Sequence, residues 1–197
     1  MRQSHKLGLF ALGLTAAASV VALAAVAAPT GAKLAGAKVD NFMLADQTGM
    51  GHQLYYYKNA AAVVIVSSAQ GDATSAKAAA ALAKVRDQFK GKNVEFMMLD
   101  SGRTSKFGKL VGVPGSADIP VLSDELQLVG RSLGVTTTGE AFVINPKTWT
   151  VAYHGPIDDS FAQKINKKAN VGEALNAVLA GQQAPVVEAA VKGAKLD

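Results

Sequence analysis

The chain has 197 residues, enough for one domain of ordinary size with a sizeable core once its ends are set aside. It carries 20 basic and 15 acidic side chains, a formal charge of +5. The lysines are scattered, and the one cluster, Lys164, Lys167 and Lys168, reads as a solvated face without stacking aromatics, so no nucleic-acid partner is expected. Cysteine is absent, which removes disulfides, thiolate catalysis, thiolate metal sites and haem attachment together.

In chain order, residues 1–28 come first: Arg2 and Lys6, an uncharged apolar run, and small residues at an Ala-x-Ala spacing, Ala25 and Ala27. That pattern predicts a secretory signal peptide and hence export to the periplasm. The alternative reading of the same uncharged run, Leu7 to Pro29, is an uncleaved inner-membrane anchor. With the leader removed, the basic residues fall from 20 to 18 against 15 acidic ones, a net charge of +3. Residues 29–38 are small, polar and aperiodic, a flexible lead-in to a domain spanning 39–181.

The domain opens with a predicted hairpin, Phe42 to Leu44 and His52 to Tyr56, around turn residues Asp46 to Gly51. Tyr55, Tyr56 and Tyr57 would then alternate faces, with one or two turned outward. The run AAAVVIVSS is a continuous apolar strand of the kind buried on both faces. Apolar residues at three- and four-residue spacings from Ser75 to Phe89 predict an amphipathic helix, and Val94 to Leu99 the next buried strand. Strand, helix and strand make a right-handed parallel βαβ unit. A short helix-like piece, SKFGKLVG, precedes a strand ending in Ser123-Asp124 and a helix capped by one of those two residues. Ala141 to Ile144 and Thr150 to Tyr153 form an antiparallel pair about Asn145-Pro146, and a last helix, Val171 to Leu179, stops at Gly181. Residues 182–197 read as a loosely held tail. A parallel half followed by an antiparallel ββα half points to a three-layer α/β sandwich with a mixed sheet and an N-terminal hairpin.

The segments VDNFMLADQTGMGHQL, VVIVSSAQGDATSAK, VEFMMLDS and, above all, IPVLSDELQLVGRSLGVTTTGEAFVINPKTWTVAYHGPIDD resemble the thioredoxin-like redoxins of the alkyl hydroperoxide reductase and thiol-specific antioxidant group. The resemblance runs from about Val39 to about Leu179. It implies a thioredoxin-like fold and, for an intact member, a cysteine after the first central strand and a cis-proline after the Thr-rich turn. Here Gly71, Asp72 and Ala73 stand on the family's Gly-Cys-Pro, to within one residue, and Thr138 is followed by Gly139. Those five positions mark a degenerate site, with no catalytic residue and no cofactor expected.

Other chemistries find little purchase. Asp72 at a helix start suits capping, and the helix terminus lowers its pKa rather than raising it toward that of a general base. Ser67 and Ser68 lack the Gly-x-Ser-x-Gly elbow and read as strand-end hydrogen bonders. SGRTSKFGKL fails as a phosphate loop: its glycines are misspaced and Leu110 stands where Ser or Thr is needed, leaving Arg103, Lys106 and Lys109 as a basic edge. For a metal, His52 and His154 are weak candidates, with Met43, Met50, Met97 and Met98 as soft donors. The expected function is that of a binding or accessory subunit with a protein partner in the cell envelope. The alternatives are an antioxidant or thiol-oxidoreductase role through the family, or copper handling by His52 and His154.

Overall fold

Ala62 to Ser68 form strand β3 (Ala62–Ser68), and every one of the seven residues is buried. A β-branched run of this kind suits a pleat covered on both faces, and the computed structural model places it at the centre of a five-stranded sheet of order β5-β4-β3-β6-β7. The structure describes residues 34–102, 112–116, 118–163, 170–184 and 190–196. The leader, Arg103, Lys106 and Lys109, most of the segment expected as a short helix at 105–112, and the lysines at 164, 167 and 168 lie outside the described residues.

From β3 the chain passes through α1 (Ala73–Gln88) to β4 (Val94–Asp100), parallel to β3 in a register pairing Ala62 with Val94 and Ser68 with Asp100. β5 (Val121–Ser123) extends the sheet in parallel beyond β4. On the other side β6 (Glu140–Asn145) lies antiparallel to β3, and β7 (Thr150–Pro156) antiparallel to β6. The turn between them uses Asn145 as expected: its side chain accepts from the Lys147 amide at 2.9 Å.

Strand alternation sorts the core into two layers. Val64, Val66, Met98 and Val143 face α1, through Ala78, Leu82 and Val85, and α3 (Val171–Leu179), through Val171, Ala174 and Leu175. Val63, Ile65, Met97, Leu99 and Phe142 face the opposite layer, with Leu54, Val39, Val129 and Leu133. Each fully buried large side chain contributes roughly 1.5–3 kcal/mol before its ordering entropy is counted. The three-layer mixed α/β sandwich is therefore the observed architecture. Met97 and Met98 are core residues, whereas Met43 and Met50 are exposed. No helix among the described residues is long and apolar enough to cross a membrane.

Several local expectations are corrected. The hairpin is β1 (Met43–Ala45) with β2 (Gly51–Gln53), so β2 ends before the tyrosines, which occupy a 3-10 turn, Leu54–Asn59. Leu54 plunges into the core and the Asn41 side chain accepts the Tyr55 amide at 3.0 Å, which draws the chain out of the ladder. Only Tyr56 is open to solvent, 77 % exposed, while Tyr55 stacks on Trp149 at 4.3 Å. The lead-in is held at its end: the Gly36 amide donates to the Val151 carbonyl and the Val151 amide donates to the Ala37 carbonyl, which adds these residues to the edge of β7. The helix after β5, α2 (Leu128–Ser132), has Gln127 at its cap position in a left-handed conformation, φ 55°. Asp124 still serves it, accepting from the Val129 and Gly130 amides at 3.2 and 2.7 Å across the intervening turn.

Candidate functional site

The sheet delivers two loops to the carboxyl end of β3. The first runs from Ala69 to Asp72. Gly71 takes φ 80°, a conformation that glycine adopts without penalty, and this sets Asp72 as the cap of α1. The Asp72 carboxylate accepts from the Ser75 amide at 2.7 Å and the Ser75 hydroxyl at 2.9 Å, and that hydroxyl oxygen in turn accepts from the Ala69 amide at 2.9 Å. Burial pushes the Asp72 carboxyl up, but hydrogen bonds from the Ser75 amide and hydroxyl, from Thr138 and from Thr74 outweigh it and leave the pKa lowered. Ala73 is the first residue of the helix.

The second loop, residues 136–139, is tied to the first through β3. Ser67 donates from its hydroxyl to the Thr137 carbonyl at 2.6 Å and accepts the Glu140 amide at 2.9 Å, while Gly139 donates to the Ser67 carbonyl at 2.8 Å. Thr138 is fully buried and its hydroxyl reaches Asp72. The structure thus brings Gly71, Asp72, Ala73, Thr138 and Gly139 to one place. Beside them lies a cavity of about 360 Å³, lined by residues that include Gln70, Asp72, Ala76 and Val113.

Gly139 has φ 80°, and the Phe161 ring lies 3.0 Å from where its β-carbon would be, with Val191 behind it. A side chain there would have to displace that ring, so the space beside Thr138 is filled from within the chain. The Ser67 hydroxyl is spent on the Thr137 carbonyl. Ser68 differs from the expectation of a strand-end hydrogen bonder: its hydroxyl is buried without a partner.

Glu140 is the residue that sequence reasoning missed. It is 4 % exposed, and its carboxylate accepts from the Thr136 hydroxyl at 2.6 Å, the Thr137 hydroxyl at 2.8 Å, the Thr137 amide at 3.0 Å and His154 Nε2 at 3.2 Å. Burial pushes this carboxyl up; hydrogen bonds from His154, Thr136 and Thr137 and the His154 charge reverse that, and the pKa falls below its ordinary 4.5. The available signal was a carboxylate three and four residues after two threonines at a strand start. A second missed group lies at the ends of β4 and β5. Asp100 is buried and its pKa is raised, by desolvation first and by the charges of Asp124 and Glu125, against amide bonds from Gly102 and Gln70. Ser101 donates to Asp124 at 3.0 Å.

The two histidines do not meet. His52 is on the hairpin, which packs beside β5 at one edge of the sheet, and His154 is on β7, the opposite edge strand. His52 bonds Tyr57 at 2.6 Å and Asp46 at 2.9 Å, while His154 bonds Glu140 and stacks on Phe142 at 4.6 Å. Among the described residues no group of three or more His, Cys, Asp or Glu side chains could hold a metal ion.

These carboxyls set an acid limb of stability. Desolvation raises Asp46, yet bonds from Thr48, His52 and Met50 bring it from 3.8 down to about 2. With Asp46, Asp72 and Glu140 all lowered, the unfolded chain binds more protons between the two sets of values. Their stabilisation is complete above about pH 4.5 and is lost as pH falls through the folded values, toward about 2 for Asp46. Asp100, raised, opposes this: its contribution is present below 3.8 and lost as pH rises through its folded value. Urea midpoints measured from pH 5 to pH 2 are expected to fall with acid, with a shallower slope in Glu140→Gln; a flat profile contradicts the assignment.

No family model matches the chain, and no curated protein matches it in sequence. Solved structures do match in shape. A hypothetical protein from Sinorhizobium meliloti is 22 % identical at a TM-score of 0.65, over 82 % of this chain and 93 % of that one. An uncharacterized conserved protein from Geobacillus kaustophilus is 20 % identical at 0.66, over 85 % and 93 %. The exposed lipoprotein thioredoxin Etrx1 from Streptococcus pneumoniae is 16 % identical at 0.52, over 70 % of this chain and 98 % of its own. The fold is thioredoxin-like, carried by a chain without cysteine.

Proposed function

We propose that this thioredoxin-like chain, having no thiol to exchange, is an exported, non-catalytic binding or accessory subunit of a cell-envelope assembly. The observation that carries the reading is Asp72. It stands at the helix start where the resembling redoxins place their cysteine, and it is committed to Ser75 and Thr138 as a lowered-pKa cap. A carboxylate so held is a weak base and no electron donor. The Ala-x-Ala leader supports export, and the retained fold around an emptied site supports a role in shape recognition.

Affinity capture of the native chain from cell envelopes is expected to return a protein partner in stable ratio; recovery of free monomer alone overturns the reading. In a parallel assay the purified mature chain is expected to consume peroxide and reduce disulfides no faster than buffer. Sustained metal-free peroxide consumption that is abolished by changing residue 72 would replace this reading with an enzymatic one.

A further inference from the structure

Residues 190–196 contradict the expectation of a loosely held tail. The Thr138 amide donates to Ala194 at 2.8 Å, Leu196 donates to Thr136 at 2.9 Å, and the Ala194 amide donates to the Thr138 hydroxyl oxygen at 2.9 Å. Further back, Lys192 donates to Phe161 at 2.8 Å and Gln163 to Ala190 at 3.0 Å. The segment is held by two isolated antiparallel bridges, Thr137 with Lys195 and Ala162 with Val191.

Its side chains contribute little to this docking. Lys192, Gly193, Ala194 and Lys195 are exposed, and Val191 is the anchor that enters the core, behind Gly139. Main-chain bonding of this kind is nearly indifferent to sequence. One position is selective: a β-carbon on Gly193 would run into the Thr138 carbonyl oxygen, and this backbone cannot yield because Ser67 and Glu140 hold the loop. The segment also lies against Thr138, whose hydroxyl oxygen accepts the Ala194 amide, which places it at one side of the Asp72 loop.

We propose that residues 190–196 are a self-bound strap occupying a peptide-accepting loop at Thr136–Thr138, and that an extended segment of a partner protein, with a glycine seated on the Thr138 carbonyl and an apolar residue two positions before it, displaces the strap. This rests on the binding reading above and assigns its surface. Without the strap, the Thr136 carbonyl and the Thr138 amide in the loop before β6 lose their main-chain partners, and main-chain groups left unpaired in this way can take up an extended segment from another chain.

The probe is a fluorescent peptide of the sequence Ala-Val-Lys-Gly-Ala-Lys-Leu, tested on the full chain and on two variants. Gly193→Ala introduces the clash, and Ala194→Pro removes the amide that donates to Thr138. Both variants are expected to bind the peptide at least tenfold more tightly than the native chain, and none of the three proteins to bind a peptide with alanine in place of glycine. Folded variants that bind no better than the native chain, or equal binding of the alanine peptide, overturn the proposal. Should a variant fail to fold, amide exchange on the native chain decides. Thr138 and Leu196 are expected to exchange faster than Val64 in the sheet centre and to be slowed by excess peptide; exchange of all three only through global unfolding overturns the strap. The two readings fail separately. An envelope partner captured equally by native and strap variants removes the strap and leaves the binding role, whereas peptide binding with no envelope partner does the reverse.

Discussion

Replacing Glu140 by alanine is expected to lower stability by about 3 kcal/mol, which for a domain of this size is a fall in melting temperature of roughly 6–12 °C. The carboxylate is buried and collects bonds from Thr136, Thr137 and His154. Deleting it leaves the Thr137 amide and the His154 nitrogen facing a space from which water is largely shut out. Each unsatisfied buried donor costs about 1–3 kcal/mol; Thr136 is exposed and rehydrates, which keeps the total near the lower end of the sum. Glu140→Gln keeps one acceptor for the threonines but sets an amide against His154, so it should fall between the two. Urea unfolding followed by circular dichroism checks this, and a Glu140→Ala midpoint within 1 kcal/mol of native, on the scale of an ordinary surface substitution, removes the hub from the account. The loop fixed by Glu140 is also the one on which the strap lies, so the same variant should loosen residues 190–196.

How much of this was legible in the sequence varies with the range of the interactions. β3, β4 and α1 were readable because each announces itself locally: unbroken β-branched runs, and apolar spacing between charges. The absence of cysteine and the dipeptide Thr138-Gly139 were readable for the same reason, since neither needs coordinates. Tyr55 to Tyr57 misled because tyrosine favours strands, and what diverted them was Leu54 entering the core and Asn41 intercepting an amide fourteen residues away. The strap was invisible for a deeper reason. Val191, Gly193 and Ala194 have no periodic pattern; their structure comes from main-chain groups on Thr136, Thr138 and Phe161, and a backbone edge leaves no mark in composition. Gln47 behaves alike, reaching from the hairpin to accept the Val121 amide at 2.7 Å and so closing the edge of β5.

Restoring a thiol at residue 72 tests whether the helix start is still the kind of place the redoxin resemblance implies. In Asp72→Cys the sulfur would face the Ser75 amide and hydroxyl that now bond the carboxylate, and both those donors and the helix dipole favour the thiolate. The expected result is a thiol titrating near 6.5, about two units below the ordinary value of roughly 8.5, read from thiolate absorbance across pH. Rate is the less sensitive readout. Such a shift raises the thiolate fraction at pH 7 from about 3 % to about 75 %, but intrinsic nucleophilicity falls with pKa, leaving alkylation only about threefold faster than for a peptide thiol. The lost carboxylate cap should lower stability by about 1 kcal/mol. A thiol that titrates at or above its ordinary value, in a variant folded as the native chain, would mean that Ser75 and Thr138 have rearranged around the carboxylate and that the loop retains no electrostatic trace of a nucleophile.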